Sequence, residues 1–422
     1  MKMSSEKNIL KYLSDTATSL SSYMKKKHPE QLWMVDLQRV YFNMIYEAQE
    51  KGIPVVLIGP NYPPELVYAF GAVPLLLDCF PSRLASEPME TGVAQYIDLA
   101  EKHIPSYMCG INKTDLGLVL SGDIGIPDAM IISTQPCDSG RAVYSAIADD
   151  LNVPFFCIDA PYKRDERGFT YIGAEIKKSV AFLEEVLGKK LDWNRLVEII
   201  EISNQAYELL GKCAELRQAI PCPLPSRFLV LNEFFGAMVG RPEVIDFLQT
   251  EYNLGKARIE KGQGAFKGEE KYRIMMLQNP PWYSVGILDW IEKEYGAVIT
   301  IDAFGYLYSH PIADPYNEDE VWRGFAERLL GQPMTHGSSG PVEASLEIAE
   351  DGIKKYKSDL AMFMGHIGCK HTWAAGKLVK DMIYDRYGIQ TMTFDLDCID
   401  GRYKSADEVK ASIKEFMDAI NE

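Results

Sequence analysis

The sequence predicts an α/β protein in which two Rossmann-like, parallel-sheet lobes flank a helical region. Three observations predict it. Short apolar runs alternate with amphipathic stretches toward both ends of the chain, as parallel β-α-β units require. The alternation stops between residues 173 and 220, where helical periodicity alone remains. Two of the apolar runs, Met130 to Ser133 and Leu360 to Met364, are each followed within a few residues by a cysteine and then a helical pattern. The expected divisions are an N-terminal α/β domain over 1–165, a helical domain over 166–265 and a C-terminal α/β domain over 266–422.

In chain order, Glu6 to Lys27 carries Ile9, Leu10, Leu13, Leu20 and Met24 on one face, an amphipathic helix ending in Lys25-Lys26-Lys27. Pro54 to Gly59 reads as a buried strand. Asn61 to Gly71 reads as a helix with proline near its start and glycine at its end. Val73 to Leu77 is a second strand running out at Asp78-Cys79, Met89 to Lys102 is helical, and a loop from Ile104 leads to Cys109-Gly110. The Met130 strand, the helix Arg141 to Leu151 and the strand Pro154 to Asp159 complete the lobe. The helical region continues past the Pro-rich break at Pro221 to Pro225 with patterns at Glu233 to Gly240 and Pro242 to Tyr252, and Lys261 to Glu270 is a polar linker. Beyond it come strand Tyr272 to Leu277, helix Val285 to Tyr295, strand Ala297 to Ile301, helix Glu320 to Leu330, the Leu360 strand, helix His371 to Tyr387 and strand Thr391 to Asp395.

Composition narrows the function classes. The chain has 422 residues, 47% hydrophobic and 25% charged, and a net charge of −16. That balance fits a globular protein and argues against nucleic-acid and anionic-membrane partners. The start of the sequence lacks the apolar core of a signal peptide and no run is long enough to span a bilayer, so a cytoplasmic location is expected. Eight cysteines in that reducing compartment are not expected to form disulfides. They are core filler or chemistry. None forms a C-x-x-C pair, so a metal site would have to be assembled from distant segments.

Taken singly, Cys157 inside PFFCID reads as core, Cys213 as structural, and Cys222 as part of a Pro-rich loop; Cys79 and Cys398 end strands and could approach a site. Pattern alone leaves Cys109, Cys137 and Cys369 open between packing and function. Cys137 and Cys369 follow strands and precede helices, where open sheets bind ligands and a helix N-terminus favours thiolate. His366 and His371 flank Cys369 and suggest zinc, although a helix cap or a surface role is the simpler reading.

In order along most of the chain, these residues resemble one family. The carriers are Pro63-Pro-Glu-Leu-Val-Tyr-Ala-Phe-Gly71, the Cys109 loop with Asp115-Leu-Gly117, and Pro127-Asp128 leading to Cys137. Phe266 to Met276 followed by Trp282, then Cys369-Lys370, then Tyr387 to Asp397 continue the series. The sequence resembles the cluster-bearing subunits of ATP-activated (R)-2-hydroxyacyl-CoA dehydratases and their benzoyl-CoA reductase relatives. The resemblance implies a [4Fe-4S] cluster held by Cys109, Cys137 and Cys369. Three thiolates leave one iron open to water or a substrate oxygen.

It also implies a reaction. One-electron reduction of a 2-hydroxyacyl thioester gives a ketyl radical anion that expels the α-hydroxyl and acidifies the β-hydrogen; deprotonation and return of the electron then give enoyl-CoA. The expected partners are an acyl-CoA substrate, a related second subunit and a separate iron–sulfur ATPase activator. A benzoyl-CoA reductase-type subunit, or an electron-transfer subunit paired with a catalytic paralogue, is the alternative. Two stretches depart from the family pattern. Gly59-Pro-Asn-Tyr-Pro63 lacks the serine expected there, and Leu77-Asp78-Cys79 replaces Pro-Glu-Asn. Asp78 is accordingly the candidate catalytic base or orienting carboxylate, and Cys79 a candidate to approach the fourth iron.

Overall fold

The computed structural model describes residues 9–27, 32–87, 92–231, 234–303 and 310–422. Helices α1 (Ile9–Lys27) and α2 (Trp33–Lys51) precede β1 (Val55–Ile58), α3 (Pro64–Ala69), β2 (Val73–Leu76), α4 (Cys79–Ala85), α5 (Ala94–Ala100), α6 (Gly110–Ser121), β3 (Ala129–Ser133), α7 (Asp138–Leu151) and β4 (Phe155–Ile158). Five helices follow: α8 (Glu166–Leu187), α9 (Trp193–Leu216), α10 (Phe228–Leu231), α11 (Phe235–Met238) and α12 (Pro242–Glu260). The rest runs β5 (Tyr272–Met276), α13 (Gly286–Tyr295), β6 (Ala297–Asp302), α14 (Glu318–Gly331), α15 (Val342–Lys354), β7 (Leu360–His366), α16 (Lys370–Tyr387), β8 (Gln390–Leu396) and α17 (Ala406–Asn421). The expected helical starts at Glu6 to Asn8 and Met89 to Thr91, and Glu233, lie outside the described residues.

Both sheets are parallel and share one topology. Their strand orders are β2-β1-β3-β4 and β6-β5-β7-β8, so each begins in the middle, steps to one side and then crosses to the other. Strands β1, β2, β3, β6 and β7 are buried along their whole length and are accordingly dominated by apolar residues, with Ser133 closing β3, Thr300 and Asp302 in β6 and His366 closing β7. Pro74 is tolerated because β2 is an edge strand, where a missing N–H breaks no inner ladder. At the opposite edge of the second sheet, β8 alternates, with Met392, Phe394 and Leu396 inward and Thr393 and Asp395 outward. Strand β2 stops at Leu76, so Asp78 and Cys79 do not end a strand: Asp78 precedes α4, and Cys79 is its first residue.

The main apolar core, from Ile9 in α1 to Met417 in α17, is continuous across both sheets and the helices between them, beside two smaller clusters, one around Met275 and Ile348 and one around Cys213 and Phe228. The two halves are also joined by a buried ion pair, in which the Arg328 guanidinium of α14 donates to Glu65 of α3 at 2.7 Å. Among the described residues, no helix is long and apolar enough to cross a membrane.

Candidate functional site

In each sheet the chain order reverses between the two central strands, β1 and β3 in the first and β5 and β7 in the second. The crevice beyond the carboxyl ends of such strands is where open sheets bind ligands. Cys137 follows β3 and Cys369 follows β7, so the two cysteines occupy equivalent positions of a repeated topology. Each is the residue that starts a helix, Cys137 at α7 and Cys369 at α16, and Cys109 does the same for α6. The Cys137 sulfur already accepts a hydrogen bond from the Gly140 amide at 3.2 Å.

Cys109 belongs to the first half of the chain but packs into the second. A β-carbon on Gly368 would stand 2.5 Å from the Cys109 Cα, and one on Gly110 would stand 2.5 Å from the Asp397 carboxylate. Only glycine at these two positions lets the Cys109 turn enter between the ends of β7 and β8. The loop leading into it is fixed by Lys113, whose ammonium donates to Glu101 at 2.8 Å and to the Ser106 carbonyl at 3.0 Å. The Cys109 sulfur then lies 3.2 Å from Nε2 of His366, the last residue of β7. Across the top of the two sheets, the Lys370 ammonium of α16 donates to Asp138 of α7 at 2.9 Å.

Asp78, Cys109, Asn112, Cys137 and Tyr144 line one cavity. Cys369 does not line it, but its sulfur is within electrostatic reach of both Cys109 and Cys137. The helix N-termini do not by themselves give thiolates. Burial pushes Cys109 well above the ordinary thiol range, with the Cys137 sulfur adding to it, and pushes Cys137 up to about 12 despite the Gly140 amide. Desolvation in this crevice therefore outweighs the hydrogen bonds from the Asn112 and Gly140 amides, and a cation seated among the sulfurs would reverse the balance. Burial also pushes the Asp78 carboxyl up to about 6, opposed by the Tyr144 hydroxyl, which donates to it at 3.0 Å. The same hydroxyl lies 3.1 Å from Asp115, which is fully buried. Asp78 makes no side-chain cap to α4.

The donor set suits a sulfur-ligated metal group. Cys109 and Cys137 line one cavity with Cys369 in electrostatic reach of both, and two buried oxygens, Asn112 Oδ1 in the same lining and Ser139 Oγ two residues after Cys137, lack a hydrogen-bond partner. The other cysteines divide. Cys79 is buried near Tyr41 and does not line the cavity. Cys213 and Cys222 are buried in the helical region, and Cys157 is partly buried against the main core. No disulfide joins any of the eight.

Cys398 is different: it is buried behind the site, within electrostatic reach of Cys109 and Cys369. Nor does the simpler reading of His366 survive, because it is 1% exposed and packed on Cys109 rather than at the surface. His366, Asp397 and Cys398 come close enough together to suggest a separate metal site. Nδ1 of His366, however, already accepts from the Cys398 amide at 3.2 Å, and Asp397 Oδ1 accepts from the Ile399 and Asp400 amides. His371 sits in the first turn of α16, half-buried, 3.7 Å from Asp138. These neighbours were not legible as a group, because His366 is 257 positions from Cys109.

Residues 61–420 match the family model described as 2-hydroxyglutaryl-CoA dehydratase, D-component. The chain belongs to that family. Among curated relatives, it is 22% identical to the (R)-2-hydroxyisocaproyl-CoA dehydratase alpha subunit of Clostridioides difficile, over 94% of this chain and 98% of the relative. It is 24% identical to the (R)-phenyllactyl-CoA dehydratase alpha subunit of Clostridium sporogenes, over 63% of this chain and 68% of the relative. It is 22% identical to a benzoyl-CoA reductase subunit of Thauera aromatica, over 75% of this chain and 77% of the relative. The dehydratase family thus matches a chain whose thiols and one raised carboxyl meet at the carboxyl edges of its two sheets.

Proposed function

We propose that this dehydratase-family chain is the iron–sulfur subunit of an ATP-activated (R)-2-hydroxyacyl-CoA dehydratase, a lyase that removes water to give enoyl-CoA. Cys109, Cys137 and Cys369 would hold a [4Fe-4S] cluster, whose chemistry when bound is to pass single electrons and to offer one iron free of thiolate. The observation that carries the reading is that Cys109 and Cys137 share one cavity with the Asp78 carboxyl while Cys369, from the other half of the chain, lies within electrostatic reach of both sulfurs.

The protein's own residues supply the rest. Asp78, ionised above about pH 6, accepts the β-proton made acidic in the ketyl stage of the reaction. Tyr144 holds that carboxylate in place, and the apolar floor at Ile132, Pro136 and Met334 excludes water from the acyl chain. We take the chain as three topological parts divided near 165 and 265. That its dehydratase relatives are named as alpha subunits supports a related second subunit, and by the same reading a separate iron–sulfur ATPase delivers the electron in the cytoplasm. The match to a benzoyl-CoA reductase supports a second reading, reduction of an acyl-CoA ring at the same site.

The test is anaerobic purification of the chain with its co-expressed paralogue, followed by assay of 2-hydroxyacyl-CoA and benzoyl-CoA with ATP, the activator and a reductant. About four irons per chain are expected, with a heterodimer or its double by size measurement. Cys109→Ala, Cys137→Ala and Cys369→Ala should each lose the iron, whereas Cys213→Ala should keep it. Zinc at one per chain, or equal iron loss in all four variants, rejects the ligand assignment.

A further inference from the structure

We propose that His366 is a positioning residue for the Cys109 sulfur: a neutral imidazole held in its Nε2–H form, which donates a hydrogen bond to the thiolate and raises the reduction potential of the group the cysteines hold. The inference rests on the iron–sulfur reading above.

The geometry fixes the direction of the donor. His366 Nδ1 lies 3.2 Å from the backbone nitrogen of Cys398, and a backbone N–H can only donate. Nδ1 is therefore the acceptor and carries no hydrogen, so the neutral ring has its hydrogen on Nε2. Nε2 in turn faces the Cys109 sulfur at 3.2 Å, within hydrogen-bond reach for sulfur. The ring is buried against its neighbours. It is 1% exposed, and Gly368 packs so close that a β-carbon there would stand 3.1 Å from Nε2. Asp397 lies 3.8 Å from Nδ1 and is itself held by the Ile399 and Asp400 amides, at 2.9 and 3.1 Å. The turn after β8 thus holds the imidazole, and the imidazole addresses a sulfur that arrives from the other half of the chain.

A hydrogen bond to a ligating sulfur favours the more negative, reduced state, and such bonds are among the factors that set cluster potentials. The donor matters here because carboxylates surround the site. Asp78 lines the same cavity and Asp397 lies beside Cys109, so added negative charge is otherwise disfavoured. His366 is the buried neutral donor that offsets this, and it needs no contact with substrate to do so.

The experiment uses the full chain, loaded with iron and sulfide anaerobically, as wild type, His366→Leu and His366→Gln. Iron per chain is measured first, then the midpoint potential by electron paramagnetic resonance in a redox titration. All three should hold the same iron; His366→Leu should have a more negative midpoint, and His366→Gln, which keeps an N–H donor, should recover most of the shift. In the metal-free wild type, the ¹⁵N resonances of the His366 ring should report the Nε2–H form. Full iron with an unchanged midpoint in His366→Leu overturns this inference alone, as does an Nδ1–H ring. Should His366→Leu fail to fold or load, the ring form together with a near-wild-type midpoint in His366→Gln decides in favour, and an Nδ1–H ring decides against. A wild-type chain that takes up no iron overturns the proposed function and this inference with it.

Discussion

Tyr144 has one hydroxyl hydrogen and two carboxylates within reach, Asp78 at 3.0 Å and Asp115 at 3.1 Å. It can donate to only one of them at a time, so its choice sets how readily Asp78 gives up or takes a proton. Burial raises the Asp78 carboxyl to about 6 and the tyrosine's hydrogen bond restrains that rise. In the proposed role of base Asp78 must be ionised, so kcat/KM should fall as pH drops through about 6, or somewhat above it where an anionic cluster is bound beside the carboxylate. Tyr144→Phe removes the restraint and should move the limb to higher pH while leaving iron content intact. Asp78→Asn cannot accept the proton and should lose on the order of a hundredfold or more in turnover with full iron. Near-normal turnover in Asp78→Asn, or an unmoved limb in Tyr144→Phe, would assign the pair a purely structural role.

At the scale of elements, the eight strands among the described residues were legible because buried parallel strands are predominantly apolar runs bounded by turns, while β8 shows the alternation of a half-exposed edge. Some helices with one apolar face were legible, as in α1, α7 and α13, whereas α2 and α15 were not assigned. Helix α6 was not: GINKTDLGLVLS is buried almost all round and shows no stripe, and Gly117 is required because the Tyr96 backbone presses on it. Helix α17 goes unassigned although Ser405 and Glu408 form a capping box, a signal present in the sequence. The site divides in the same way. Spacing could place Cys137 and Cys369 after strands, but Cys109 was assignable only through resemblance, since its neighbours come from the far end of the chain. The contact between α3 and α14 is equally non-local and carries its own prediction. Arg328 donates to Glu65, Ser203 and Asn204 and stacks 4.2 Å over the Tyr207 ring, all inside the protein. Arg328→Met leaves the Glu65 carboxylate buried without its cation and should destabilise by about 3–5 kcal/mol. Adding Glu65→Gln should recover much of that in a denaturant double-mutant cycle; additive losses would show that the two residues are not coupled.

For the molecule as a whole, the continuous core means that the sheets and the helices between them should unfold together rather than as separate domains. One residue reports on that joint from within. Glu251 of α12 is 4% exposed, 4.0 Å from Arg217, and Arg217 donates to the Ile299 carbonyl of β6. Burial raises the Glu251 carboxyl from an ordinary value of 4.5 to about 7, and the Arg217 charge only partly opposes it. The folded protein therefore keeps this proton to about pH 7, while the unfolded chain releases it near 4.5. The associated stability is complete below the lower value and is lost as pH rises through the upper one, because between them the folded state binds the extra proton. The loss is at most roughly 3 kcal/mol by the shift in pKa. Glu251→Gln, which stays neutral, should unfold with a flatter pH dependence and gain on wild type between pH 5 and pH 8 in urea titrations. A wild-type midpoint whose pH slope the substitution leaves unchanged would mean that Glu251 is ionised in the folded protein and that Arg217, not burial, decides its charge.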